Sequence, residues 1–217
     1  MPIFECSRCN DLTYSSSSDA AGDCARCGSA RHRVLEGGFA EAREAPRGLG
    51  EADHATLVYD DPERIAPFCA RFLTEGIDAG EHVAAGVQED LRRAVSALLA
   101  PEVAVLVDWQ DPSEIYADFD ADRVAAMYDA LIGAEPRTTR ILTGLDGACA
   151  EDISPDEFDR YEAAAHAVIT GHGATALCLY DARSLPEAFL PVAARRHTLT
   201  VEDDSVRRNE QFEHQPA

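Results

Sequence analysis

The sequence predicts an α/β fold: a mostly parallel sheet flanked by helices, preceded by a small cysteine-bearing module. Three observations predict it. From residue 53 onward, short apolar or β-branched runs alternate with amphipathic stretches, the pattern of repeated β-then-α units. Charge divides near residue 50: the first fifty residues hold seven acids and six arginines, so nearly all of the net charge of −21 lies beyond them. Four of the seven cysteines fall within the first 27 residues.

Those four are spaced Cys6-Ser-Arg-Cys9 and Cys24-Ala-Arg-Cys27. A C-x2-C turn lets two sulfurs converge on one ion, and two such turns complete a tetrahedral S4 site. Disulfides and a redox pair are the alternatives. No secretory signal follows Met1, and neither pair opens a helix after a strand. The expectation is one structural Zn2+ per chain, held by Cys6, Cys9, Cys24 and Cys27, with His32 on the surface. Residues 1–36 then resemble a zinc ribbon. Arg26, Arg31 and Arg33 give this region a mildly basic face for nucleic acid or a protein partner, or simply a solvated surface. Residues 37–52 hold four glycines and a proline among alternating charges and read as a linker.

The body then runs as follows. Ala55–Tyr59 is the first strand, and Pro62–Gly76 a helix with Ile65, Phe68, Cys69, Phe72 and Leu73 on one face. His82–Val87 is the second strand and Glu89–Leu99 the second helix. Val103–Val107, continuously apolar, reads as a buried third strand. Asp122–Ala134 is helical, and Arg140–Gly144 is the fourth strand. Ser154-Pro-Asp-Glu157 opens a long helix with capping-box chemistry. Ala174–Tyr180 is the fifth strand, with Cys178 a small core residue; Leu185–Arg195 is a helix and His197–Val201 a last short strand. Cys69 faces the core. Cys149 is a candidate exposed thiol, and Glu162 and His166 lie one helical turn apart.

In parallel sheets ligands collect at the carboxyl ends of strands. The candidate ligand-binding residues there are Asp60, Gln88, Asp108, Trp109, Tyr180 and Asp181, with His197 on the last strand. Asp60, Asp108 and Asp181 would suit a metal or a polar ligand if they share a crevice. Asp60-Asp61-Pro62 and Asp111-Pro112 equally read as helix caps.

Several chemistries are excluded. All 19 basic residues are arginine, so no lysine amine is present for Schiff-base or Walker A chemistry. No G-x-S-x-G, H-E-x-x-H or G-x-G-x-x-G occurs. Where a phosphate loop would follow the first strand, the chain reads Tyr59-Asp-Asp-Pro-Glu-Arg64. No stretch reaches the roughly 18 apolar residues of a membrane span, and a cytoplasmic protein is expected. Acidic excess, arginine in place of lysine and abundant alanine fit a halophilic, haloarchaeal-type chain. Molar salt shortens the Debye length to about 3 Å and screens carboxylate repulsion.

Residues 53–212 resemble the MEDS domain, the methanogen/methylotroph DcmR-type sensory domain. The resemblance rests on His54-Ala-Thr-Leu-Val-Tyr59, Phe72-Leu73 with Gly76 and Gly80-Glu81, and Tyr161-Glu162. It continues in Ala176-Leu-Cys-Leu-Tyr-Asp181, Arg196-His197 and Asn209–Phe212. The family's His-Pro is His197-Thr198 here. The resemblance implies a RecA/KaiC-like core without a phosphate loop that senses small molecules such as hydrocarbon derivatives, with no catalytic residues. The resulting expectation is a non-catalytic sensor that signals through the zinc ribbon to nucleic acid or a protein, in transcription regulation. The alternatives are a metal-dependent enzyme using the strand-end aspartates, or a bare interaction module.

Overall fold

The computed structural model describes residues 3–6, 12–14, 22–24, 30, 32–35, 48–116, 119–135 and 137–213. Near the amino terminus, β1 (Ile3–Cys6), β2 (Leu12–Tyr14) and β3 (His32–Leu35) form an antiparallel sheet in the order β2-β1-β3. Cys6 pairs with His32 at the end of β1, and Cys6 and Cys24 are buried beside Phe212. Cys9, Cys27, Arg26 and Arg31 lie outside the described residues, as does the Arg33 side chain.

The body is a seven-stranded sheet in the order β10-β9-β4-β8-β7-β5-β6. Its strands are β4 (His54–Tyr59), β5 (His82–Gly86), β6 (Asp108–Trp109), β7 (Thr139–Leu145), β8 (Thr175–Asp181), β9 (Leu199–Glu202) and β10 (Ser205–Arg208). All neighbouring pairs are parallel except the β9–β10 hairpin. Helices cover both faces, so β7 and β8 are buried along their whole length.

The longest helices begin where the sequence supplies a side-chain cap. The Asp61 carboxylate accepts from the Glu63 amide to start α1 (Pro62–Asp78), with Pro62 at the first position, where no amide hydrogen is needed. After α2 (Glu89–Ser96) come the short α3 (Pro101–Ala104) and α4 (Pro112–Ile115), the latter capped by Asp111. Asp120 caps α5 (Ala121–Gly133) and Asp146 caps α6 (Gly147–Ala150). Ser154 and Glu157 form the reciprocal capping box of α7 (Pro155–His172). That helix stops at Gly173, whose φ of 75° only glycine adopts without strain. A 3-10 turn (Glu187–Phe189) leads into α8 (Leu190–Arg196).

The alternation of side chains along the strands divides the core in two. One layer packs Leu57, Val83, Leu142 and Leu177 under α1 and α2; the other packs Ile141, Ala176, Cys178 and Tyr180 under α5, α7 and α8. Each large apolar side chain buried in these layers contributes roughly 1.5–3 kcal/mol.

One element departs from the sequence reading. Residues 103–107 are not a strand: Pro101 starts the α3 turn, and the pairing with β5 is confined to Asp108 and Trp109. Proline fits the first helical position, and the helical turn buries Val103 and Val107 while it turns Val105 and Leu106 outward. Val105 is 79% and Leu106 58% exposed. The last short strand of the sequence reading is β9, shifted to Leu199–Glu202, but β10 has no counterpart in that reading, since the polar, arginine-rich Ser205–Arg208 carries no strand pattern. Asp203 and Asp204 adopt positive φ in the turn between the two strands. Residues ahead of β4 pack on the body: Leu49 and Ala52 are buried, and the Thr175 hydroxyl donates to the Gly50 carbonyl.

Candidate functional site

The layer between the sheet and helices α7 and α8 is apolar except along one seam. His54 opens β4 on this face, and Cys178 and Tyr180 lie on the same face of β8, two residues apart. Glu162 and His166 descend from α7, one turn apart, and His197 ends α8. All six are buried.

Their polar atoms meet each other. His54 Nε2 lies 3.2 Å from Cys178 Sγ, and its Nδ1 lies 3.2 Å from His166 Nδ1. The His54 and His197 rings lie tilted against each other at 4.0 Å between centroids. The Tyr180 hydroxyl donates to Glu162 Oε1 at 2.8 Å and stands 3.3 Å from His197 Nε2. The His197 Nδ1–H donates to the Ala193 carbonyl at 2.7 Å, which fixes the tautomer and leaves Nε2 with a lone pair facing the cluster.

Burial sets the protonation here, because a charged form loses its hydration. It pushes the Glu162 carboxyl up to about 8, so the acid keeps its proton at neutral pH. Burial lowers His197 to about 4 and holds His54 well below its ordinary value, helped by the neighbouring His197 and His166. Burial, then the Glu162 carboxylate, raises the Cys178 thiol. The cluster is therefore neutral.

Beside it the seam continues through hydroxyls. The Thr143 hydroxyl sits 3.1 Å from the Tyr116 hydroxyl and 3.0 Å from that of Tyr128, and Tyr116 reaches Tyr161 at 3.4 Å. Thr143 and Cys178 are direct neighbours across β7 and β8. At the far end of these hydroxyls a cleft of about 70 Å³ lies between the sheet and α4 and α5. It is lined by Gly86, Ile115, Met127, Tyr128, Leu131 and Thr143. The lining is apolar apart from Tyr128, Thr143 and the nearby Gln110.

The residues singled out from sequence fall into two groups. Tyr180 and His197 lie in the buried cluster. The others sit at the strand ends, each with local partners. Asp60 is exposed and paired with Arg64; Asp108 accepts from Gln110 and lies 3.6 Å from His82. Gln88 donates to the Gly144 carbonyl, and Trp109 lies under the Arg92 guanidinium. Asp181 accepts from Arg183, which holds its carboxyl below the usual range. β6 is four strands from β4, and strands are spaced by about 4.8 Å, so Asp108 stands far from Asp60 and shares no crevice with it. Cys149 is half-buried, and burial with the Asp146 carboxylate pushes its thiol up to about 12, which makes it a poor nucleophile.

Four cluster members, His54, Glu162, His166 and Cys178, were not singled out as site residues. A signal was present. Glu162 and His166 share the helical face of Phe158, Ala165 and Ile169, and polar residues on a buried face need partners.

Most of the segments behind the resemblance converge on this cluster, while Phe72-Leu73 and Gly76 lie across the sheet on α1. His54, Glu162, Cys178, Tyr180 and His197 of those segments meet in the cluster, and Arg196 and Tyr161 flank it. The Asn209 side-chain amide donates to the Ala194 and His197 carbonyls, and Phe212 lies against His166 at 5.3 Å. The family described as MEthanogen/methylotroph, DcmR Sensory domain (MEDS) matches residues 53–198, more than half of the chain. The chain belongs to the MEDS family. No curated protein matches it. As a MEDS protein it carries a sensory domain, and among its described residues no helix is long and apolar enough to cross a membrane.

Proposed function

We propose that this MEDS protein is a non-catalytic sensor that binds a small, mostly apolar molecule in the cleft between β5, β7, α4 and α5. The observation carrying this reading is the pairing of an apolar cavity with hydroxyls at its inner end. A cavity of roughly 150 Å³ lined by apolar side chains takes up benzene. About half that volume suits a molecule of a few heavy atoms, with Tyr128 and Thr143 to meet one polar atom.

Output would pass to the N-terminal module. Phe212 touches both His166 and the Cys6–Cys24 cluster, and Arg208 pairs with Glu5 of β1. A ligand biases output only by binding two states unequally, and this packed route is where two arrangements would differ. In this reading a structural Zn2+ on Cys6, Cys9, Cys24 and Cys27 stiffens the module, and Arg26, Arg31 and Arg33 face nucleic acid or a regulatory protein.

The test is a thermal-shift titration of the full chain with short-chain alcohols and haloalkanes in high salt. A saturable rise in Tm is expected for at least one. The variant Gly86→Val should lose that rise while keeping its circular dichroism, because a Cβ at Gly86 already comes 2.9 Å from the Ile115 Cδ1 atom and extra methyls fill the cleft. Equal responses from both proteins, or none from the wild type, would refute the cleft as the site.

A further inference from the structure

His54, Cys178 and His197 come from the start of β4, the middle of β8 and the end of α8. One donor atom from each, two imidazole nitrogens and a sulfur, lie within 4.8 Å of one another. We propose that these three side chains bind a divalent transition-metal ion of borderline softness, zinc by preference, inside the sensory domain. This site is separate from the N-terminal cysteines and stands independently of the ligand cleft.

The donor set fits the ion. Imidazole nitrogen and thiolate are the ligands zinc prefers, at about 2.0–2.1 Å and 2.3 Å. Tetrahedral bonds of those lengths put donors about 3.4–3.7 Å apart, so the triangle contracts by roughly an ångström on filling. His54 Nε2 is already 3.2 Å from Cys178 Sγ.

The outer contacts fit as well. Metal-binding histidines characteristically give their other ring nitrogen to a fixed acceptor. His197 does so to the Ala193 carbonyl, and His54 Nδ1 is backed by His166 Nδ1.

A second, independent observation is Glu162 Oε2. It is buried, has no hydrogen-bond partner, and lies 3.6 Å from His197 Nε2. A carboxyl oxygen, an imidazole lone pair and a sulfur thus face one another in one buried space. One thiolate and one carboxylate cancel the charge of a divalent ion, so the filled site buries no net charge. The ion would tie the two central strands to α8, next to the Asn209–Phe212 segment that reaches the N-terminal module.

The experiment uses the full chain, purified without chelator, with metal content read by inductively coupled plasma mass spectrometry. Cys6→Ser plus Cys24→Ser removes metal from the N-terminal module, and this variant should keep about one equivalent. Adding Cys178→Ser should take it to none. Cobalt substitution of the first variant should give thiolate charge-transfer absorption of one-sulfur intensity. Zinc X-ray absorption of the wild type needs no substitution: imidazole scattering beside sulfur is expected. Sulfur-only scattering, or a folded Cys6→Ser plus Cys24→Ser variant with no metal and no cobalt spectrum, overturns the proposal.

Discussion

Helices α7 and α8 carry Glu162 and His197, and one carboxylate pins them together. Asp159 accepts from Arg196 Nε at 2.8 Å and Nη2 at 2.6 Å, and from Arg195 Nε at 3.0 Å. The Asp159 side chain is 20% exposed and that of Arg196 only 10%. Asp159→Asn keeps the shape and removes the charge. A fully exposed pair is worth about 0.2–1 kcal/mol, and breaking a buried one costs about 3–5 kcal/mol. The bidentate geometry and partial burial place this loss near 2 kcal/mol, or a fall in Tm of about 4–8 °C for a chain of this size. Urea unfolding followed by circular dichroism measures it. The Arg196 hydrogen bonds hold the Asp159 carboxyl below its ordinary 3.8, so the contribution is present above 3.8 and is lost as pH falls through the lowered folded value. The gap between wild type and Asp159→Asn should therefore be constant from pH 5 to pH 8, about 2 kcal/mol wide, and close in acid. Arg196→Met combined with Asp159→Asn should cost less than the sum of the two single changes. A gap under about 0.5 kcal/mol, or one that does not narrow as acid protonates the Asp159 carboxyl, would refute the argument.

Other expectations follow from single contacts. Gly147→Ala would place a Cβ 2.3 Å from the Ser184 carbonyl oxygen, which is backbone and cannot step aside, so a loss of about 3 kcal/mol or more should appear in denaturant unfolding. Arg140→Met strips a buried guanidinium from Glu81 and the Phe72 ring and should cost about 3 kcal/mol, measured the same way. Ser154→Ala removes the capping box of α7 for about 1 kcal/mol, seen as a small drop in Tm. Cys6→Ser plus Cys27→Ser should lower bound zinc by one equivalent per chain in elemental analysis, against an unchanged content if the N-terminal cysteines hold no metal.

Much of the body was legible because its signals are local. Caps at Asp61, Asp120 and Ser154 sit where the residue types say, and Gly173 stops α7 as a left-handed glycine must. Residues 103–107 misled because an apolar run does not say which backbone carries it: the turn begun by Pro101 buries Val103 and Val107 and leaves Val105 and Leu106 exposed. The site was half legible. Tyr180 and His197 stood out as polar groups near strand ends, yet each points into the helical layer and not toward an open crevice.

By itself, the sequence determined the parallel α/β body, the loss of any phosphate loop and the family to which the chain belongs. These follow from period, caps and residue order, all readable within a few residues of chain. The tertiary structure alone decided that His54, Cys178 and His197 meet. Strand order sets β4 beside β8 and lays α8 over both, bringing together residues more than 120 positions apart. Pairing across a sheet is a nonlocal choice made by the packing of the whole core, and no local pattern encodes it.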